Sequence, residues 1–153
     1  MKLATLKDST RDGCLAVVSR DLKHAMKADH IAPSLQAALD DWDYCAPQLE
    51  QLYNEVNAGQ STRIFDLDTK HLMAPLPRAH QFADGSSFLI HAELIRKSRK
   101  QDLPDWWKKE PLMYQGCSDP FLGQCDEITA ASEDPGSDLE MEIAVLPGAG
   151  PAG

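Results

Sequence analysis

KLATLKDSTRDGCLAVVS, residues 2–19, opens with five residues that alternate between polar and apolar. Seven polar or turn-forming residues follow, ending in Asp12-Gly13, and the stretch closes on β-branched side chains. Period-two alternation, a Gly-containing turn and a second β-prone run together predict a β-hairpin. KHAMKADHI (residues 23–31) predicts a third, weaker strand. The amino-terminal third therefore reads as a small β element.

A change of period marks what comes next. In SLQAALDDWDYCAPQLEQLYNEVNAG (34–59), Leu35, Ala38, Leu39 and Trp42 recur at helical spacing behind Ser34, a good N-cap. Pro47 lacks the donor that a helix interior needs, so the pattern predicts a break near Cys45 or Ala46. Leu49, Leu52, Tyr53 and Val56 then form a second apolar stripe that Gly59 closes. Such stripes are core.

Between residues 60 and 83, Pro75 and Pro77 force extended backbone and withhold ladder donors, as suits a connector. An amphipathic helix is predicted from Ser86 or Ser87 through Phe88, His91, Leu94 and Ile95. Its basic end RKSRK (96–100) reads as a solvated last turn that complements the helix dipole. Residues 101–125 read as loops and short strands around aromatics, with Trp106 and Trp107 taken as packing. DEITA (126–130) reads as a strand and ASEDPGS (131–137) as a turn. Residues 138–146 alternate again: Leu139, Met141, Ile143 and Val145 on one face, Asp138, Glu140, Glu142 and Ala144 on the other. Two carboxylates about 7 Å apart on one strand face repel each other, and either water or a shared cation removes that penalty.

Composition narrows the class. The chain has 153 residues, 42% hydrophobic and 25% charged, which is globular and enough for a real core. A formal net charge of −9 disfavours nucleic acid and anionic membrane as partners and suits a protein that handles a cation. No apolar run approaches a membrane span, and Lys7 and Asp8 interrupt any signal-peptide core. A cytoplasmic protein is the expectation. The four cysteines form no CxxC, so reduced thiols are expected.

Three segments taken together, APLPRAHQFADGSSFLIHAELIRKSR (74–99), PLMYQGCSD (111–119) and DLEMEIAV (138–145), resemble the fumarylacetoacetate hydrolase family. MKLATLKDSTRDGCLAVVSRDL (1–22) and HIAPSLQAALDDW (30–42) are similar to the amino-terminal portion of its bacterial two-domain members. The resemblance implies an α+β, mainly β protein: a small barrel-like domain with helices over residues 1–75, then the start of a mixed β-sandwich roll over 76–153. It implies a divalent cation, Mg²⁺ or Ca²⁺ with Mn²⁺ as an alternative, held by Glu140, Glu142 and Asp84. It implies that His91 activates the attacking water and that Tyr114 contacts substrate, a small β-diketo acid. The full-length family protein is expected to be a homodimer.

Departures accompany the likeness. Ser86 stands where the animal-type enzymes have a tyrosine, and Gln115 where they have a histidine. The family's further Asp ligand, lysine and glutamate would fall after residue 153, so a truncated catalytic domain with exposed strand edges and aberrant association is expected. Each site residue also has an ordinary reading. Glu140 and Glu142 suit a solvated strand face, Asp84 a helix cap, His91 a structural histidine and Tyr114 core packing. Two functions remain: a metal-dependent hydrolase of carbon–carbon bonds, or an inactive remnant that serves at most in protein binding or assembly.

Overall fold

The computed structural model describes residues 1–147 apart from 111, 118, 133, 135, 137 and 138. The protein is α+β, and its described residues form strands in two antiparallel sheets together with helices. One compact unit comprises Met1–Pro77 with the chain from Leu122 onward, and a second comprises Arg78–Phe121.

In the first unit, β1 (Leu3–Leu6), β2 (Cys14–Val18), β3 (His24–Lys27) and β4 (Phe65–Asp66) form one sheet in that order. The expected hairpin is β1–β2, with Leu3 opposite Val17 and Leu6 opposite Cys14. Its turn is held by a relay. The Thr10 amide and hydroxyl both donate to Asp8 Oδ1, at 2.6 and 2.7 Å, and the Gly13 amide donates to Thr10 Oγ1 at 2.9 Å. Gly13 then turns the chain into β2 at φ +65°, where a Cβ would lie 2.6 Å from the Leu6 carbonyl oxygen. Only glycine meets both conditions without strain.

β2 is buried along its whole length because both faces are covered. Leu15 and Val17 point into a core with Met26, Leu35, Leu49, Leu52 and Val56. Cys14 and Ala16 point the other way, against Leu6 with Phe65 and Leu72. The second face exists because Leu72, beyond β4, bridges Leu6 of β1 and so joins the two ends of the sheet order.

The helical cover is α1 (Leu35–Asp40) and α2 (Trp42–Ala58). Ser34 caps α1 by accepting from the Ala37 amide at 3.2 Å, as its position predicts. The break, however, lies at Asp41 and not near Cys45 or Ala46, and Pro47 sits inside α2. Its cost is limited because Pro47 is exposed, so the Asp43 carbonyl it deprives of a donor is on the wet side of the helix. Gln48 Nε2 also donates to the neighbouring Tyr44 carbonyl at 3.0 Å. Trp42, expected in the core stripe, is 38% exposed. Gly59 closes α2 in the left-handed conformation, its amide reaching the Glu55 and Val56 carbonyls.

The second unit contains β5 (Phe82–Ser86), α3 (Leu89–Ser98) and β6 (Leu112–Cys117), with β5 and β6 paired antiparallel. The helix starts at Leu89, later than predicted, because β5 continues through Ser86. Arg96 and Lys97 do occupy its last turn. Arg96 is more than solvated, since its guanidinium lies 5.1 Å over the ring of Trp107. Trp107 is buried and its indole nitrogen donates to the Ser86 carbonyl at 3.1 Å, whereas Trp106 is 48% exposed.

Two predicted strands are corrected. Residues 126–130 are not strand, and neither are the described residues of 138–146; Asp138 lies outside the described set. Alternation specifies which face a strand would bury, but a strand also needs a ladder partner, and 139–147 belongs to neither sheet. Leu139, Met141, Ile143 and Val145 are each at least 80% exposed. Among the described residues no helix is long and apolar enough to cross a membrane. The cysteines are free thiols; burial pushes those of Cys14 and Cys45 above the ordinary value.

Candidate functional site

The β5–β6 register brings two of the predicted site residues together. Asp84 stands opposite Tyr114, and in an antiparallel pair such residues share a face. The Tyr114 hydroxyl donates to Asp84 Oδ2 at 2.7 Å, which leaves Oδ1 for a further partner. A register shift between Phe82 and Ala83 sets this alignment, and the Phe82 ring, 5.6 Å from that of Phe121, anchors the shifted end. Along β5 the half-buried residues are Phe82, Asp84 and Ser86, so the carboxylate points to the better covered side. Asp84 is therefore not a helix cap. It lies mid-strand, and the N-cap position of α3 is Phe88, which makes no side-chain cap.

His91 occupies the first turn of α3, half-buried, in the same unit as Asp84 and Tyr114. Tyr114 is 55% exposed, which rules out core packing as its role in this structure. Gln115 turns its amide back on its own strand, donating to the Cys117 carbonyl at 3.1 Å.

Glu140 and Glu142 fall in the exposed segment 139–147, which groups with the first unit. Among the described residues no three His, Cys, Asp or Glu side chains gather closely enough to hold a metal ion. By donor type Asp84, Glu140 and Glu142 suit a hard cation such as Mg²⁺ or Ca²⁺, which takes oxygen ligands. Asp84 lies in the second unit, and Glu140 and Glu142 group with the first. The pairing of Asp84 with Tyr114 also escapes sequence reading, because the two are 30 residues apart and only the register joins them. A tyrosine in a β-prone run downstream of an aspartate is the sole hint.

A cleft of about 280 Å³ on the first unit is lined by Met26, Lys27, Asp29, Arg63 and Phe65. None of the predicted site residues contributes to it.

Comparison with known proteins bears on the first unit. No curated protein matches the chain. The family model described as fumarylacetoacetase N-terminal domain 2 matches residues 1–78, which spans the four-stranded sheet and its two helices. That match covers just over half of the 153 residues. The chain thus belongs to the fumarylacetoacetase N-terminal domain 2 family, and through it to the fumarylacetoacetate hydrolase family.

Proposed function

We propose that this chain serves as a hydrolase of the fumarylacetoacetase type, one that cleaves a carbon–carbon bond in an acylpyruvate or related β-diketo acid. The observation that carries the reading is the family match over residues 1–78. Support from the second unit is the hydrogen bond between Tyr114 and Asp84, two side chains to which the family resemblance assigns roles.

In this reading His91 accepts the proton of the attacking water, a general-base task that imidazole commonly performs. Tyr114 holds one oxygen of Asp84 and presents its ring and hydroxyl to the substrate. The carboxylates of Asp84, Glu140 and Glu142 are the oxygen donors that a divalent ion would take. When bound, such an ion polarises the diketone and stabilises negative charge on the departing fragment.

The test is turnover of acylpyruvates by the purified chain in the presence of Mg²⁺, Ca²⁺ or Mn²⁺. Turnover that His91→Ala lowers by roughly 10²-fold or more, and that Asp84→Asn and Glu142→Gln abolish, supports the hydrolase. Activity indifferent to all three removes the proposed site.

A second reading, a non-catalytic assembly module, is favoured by one observation. Leu139, Met141, Ile143 and Val145 are exposed on a segment that forms no strand. Absence of turnover at high protein concentration, together with self-association that Ile143→Lys abolishes in sedimentation, selects it.

A further inference from the structure

The end of β1 makes contacts that the hairpin does not require. Thr5 is buried, its carbonyl accepts the Met73 amide at 2.9 Å, and its hydroxyl donates to the Pro75 carbonyl at 2.7 Å. Leu6 bridges Leu72, and the Lys7 amide donates to the His71 carbonyl at 2.8 Å. Three successive residues thus bind the chain just before it leaves the first unit at Pro77.

The same edge receives the chain when it returns at Leu122. Lys7 Nζ donates to the Lys70 carbonyl at 3.2 Å and to Asp126 Oδ1 at 2.5 Å. Asp126 in turn closes a small turn: Oδ2 accepts the Gly123 amide at 2.8 Å, and the Asp126 amide donates to the Gly123 carbonyl at 3.0 Å. Gly123 is buried against the departing limb, where a Cβ would come within 2.5 Å of the Leu72 carbonyl oxygen and 3.2 Å of Met73 Cα. Gln124 Nε2 adds a contact to the Thr69 carbonyl at 3.5 Å. A carbonyl so close excludes any side chain larger than hydrogen, so the packing is specific to glycine.

We propose that Lys7 anchors a clasp in which residues 122–126 complete the amino-terminal domain, making it a discontinuous unit with residues 78–121 as an insertion tethered at both ends. The proposal does not depend on the hydrolase reading. It extends the domain beyond residue 78, where the family match stops. It also assigns Lys7, Gly123 and Asp126 roles that neither the hairpin pattern nor the family resemblance supplies. The lysine hydrogen bond to Asp126, with that from the Gly123 amide, holds the carboxyl below its ordinary range, consistent with a formed clasp.

Hydrogen exchange on the intact chain tests the clasp. In the wild type the amides of Gly123 and Asp126 should be protected, as should the Lys7 and Met73 amides. Lys7→Met should speed exchange at 123 and 126 roughly fivefold, the range of a partly exposed ion pair. Gly123→Val should speed it more than tenfold, and Lys7→Asp combined with Asp126→Lys should restore part of the protection. The amides of Leu15 and Val17 should keep their rates in Lys7→Met, which separates release of the clasp from unfolding of the sheet. The proposal is overturned if Gly123 and Asp126 exchange as free chain in the wild type. It is equally overturned if Lys7→Met and Gly123→Val leave them unchanged, or if Lys7→Met speeds Leu15 and Val17 as much as Asp126.

Discussion

Cys14–Val18 and the segment 139–147 are both rich in apolar and β-branched residues, yet their fates are opposite. Every residue of the first is buried, and every residue of the second is exposed. The difference is one of neighbours. β2 has a strand on either side and a cover on each face: α1 and α2 over Leu15 and Val17, and the Leu6–Phe65–Leu72 group over Cys14 and Ala16. Residues 139–147 belong to neither sheet. Apolar content supplies the driving force for burial, but ladder partners and covering side chains decide where that force can act.

Deleting apolar side chains is the strongest way to break the comparison. Leu49 has no exposed surface and sits on the α2 stripe that covers β2. Leu49→Ala should cost about 2–5 kcal/mol, the sum of lost transfer energy and a cavity. Ile143→Ala, at a position 95% exposed, should stay within about 0.5 kcal/mol. Urea unfolding of both variants measures the pair. A comparable loss in each would mean that 139–147 is packed in solution and that the contrast is false.

Two glycines with the same backbone angle sharpen it next. Gly13 and Gly59 both have φ +65°, but a Cβ on Gly13 meets the Leu6 carbonyl, Thr5 and Met73 within 2.7 Å, while one on Gly59 meets nothing within 4 Å. Gly59→Ala should therefore cost only the left-handed penalty, about 1 kcal/mol. Gly13→Ala adds a backbone clash and should cost at least about 2 kcal/mol. The same unfolding measurement decides. Equal costs would show that the β1–β2 turn gives way where the packed strand cannot.

These contrasts also show what the sequence could reveal. The hairpin, the Ser34 cap, the Leu49–Leu52–Val56 stripe and the Gly59 stop were legible because each depends on residues within one or two turns of chain. The break at Asp41 was not, because the cost of Pro47 depends on whether the carbonyl it strands faces water. Nor was the pairing of Asp84 with Tyr114, which is a matter of register between strands 30 residues apart. The strand expected at 138–146 failed for the converse reason, since its alternation is real but implies a partner that the pattern itself cannot provide. The roles of Asp84, Tyr114, Glu140 and Glu142 all rest on the family resemblance, to which the structure adds a hydrogen bond between Tyr114 and Asp84.

The smallest expected effect concerns acid, and it probes how finely the ordered region is built. Asp8 accepts from the Thr10 hydroxyl and amide, and these bonds, the hydroxyl first, lower its pKa below the ordinary 3.8. A carboxylate stabilised in this way contributes to stability in full above its unfolded value, near 3.8, and the contribution disappears as pH falls through the lower folded value. The turn should thus loosen only at strongly acid pH. Asp21 behaves similarly through a different pair of donors, the Ser19 hydroxyl and the Lys23 amide, which makes it an internal control. In an NMR titration of the carboxyl carbons, Thr10→Val should move the Asp8 midpoint back towards 3.8 and leave that of Asp21 in place. If both midpoints move together, the cause is a change in the whole sheet and not the Thr10 relay. If neither moves, the hydroxyl contributes nothing to the carboxylate, and the Thr10 amide is the donor that matters to it.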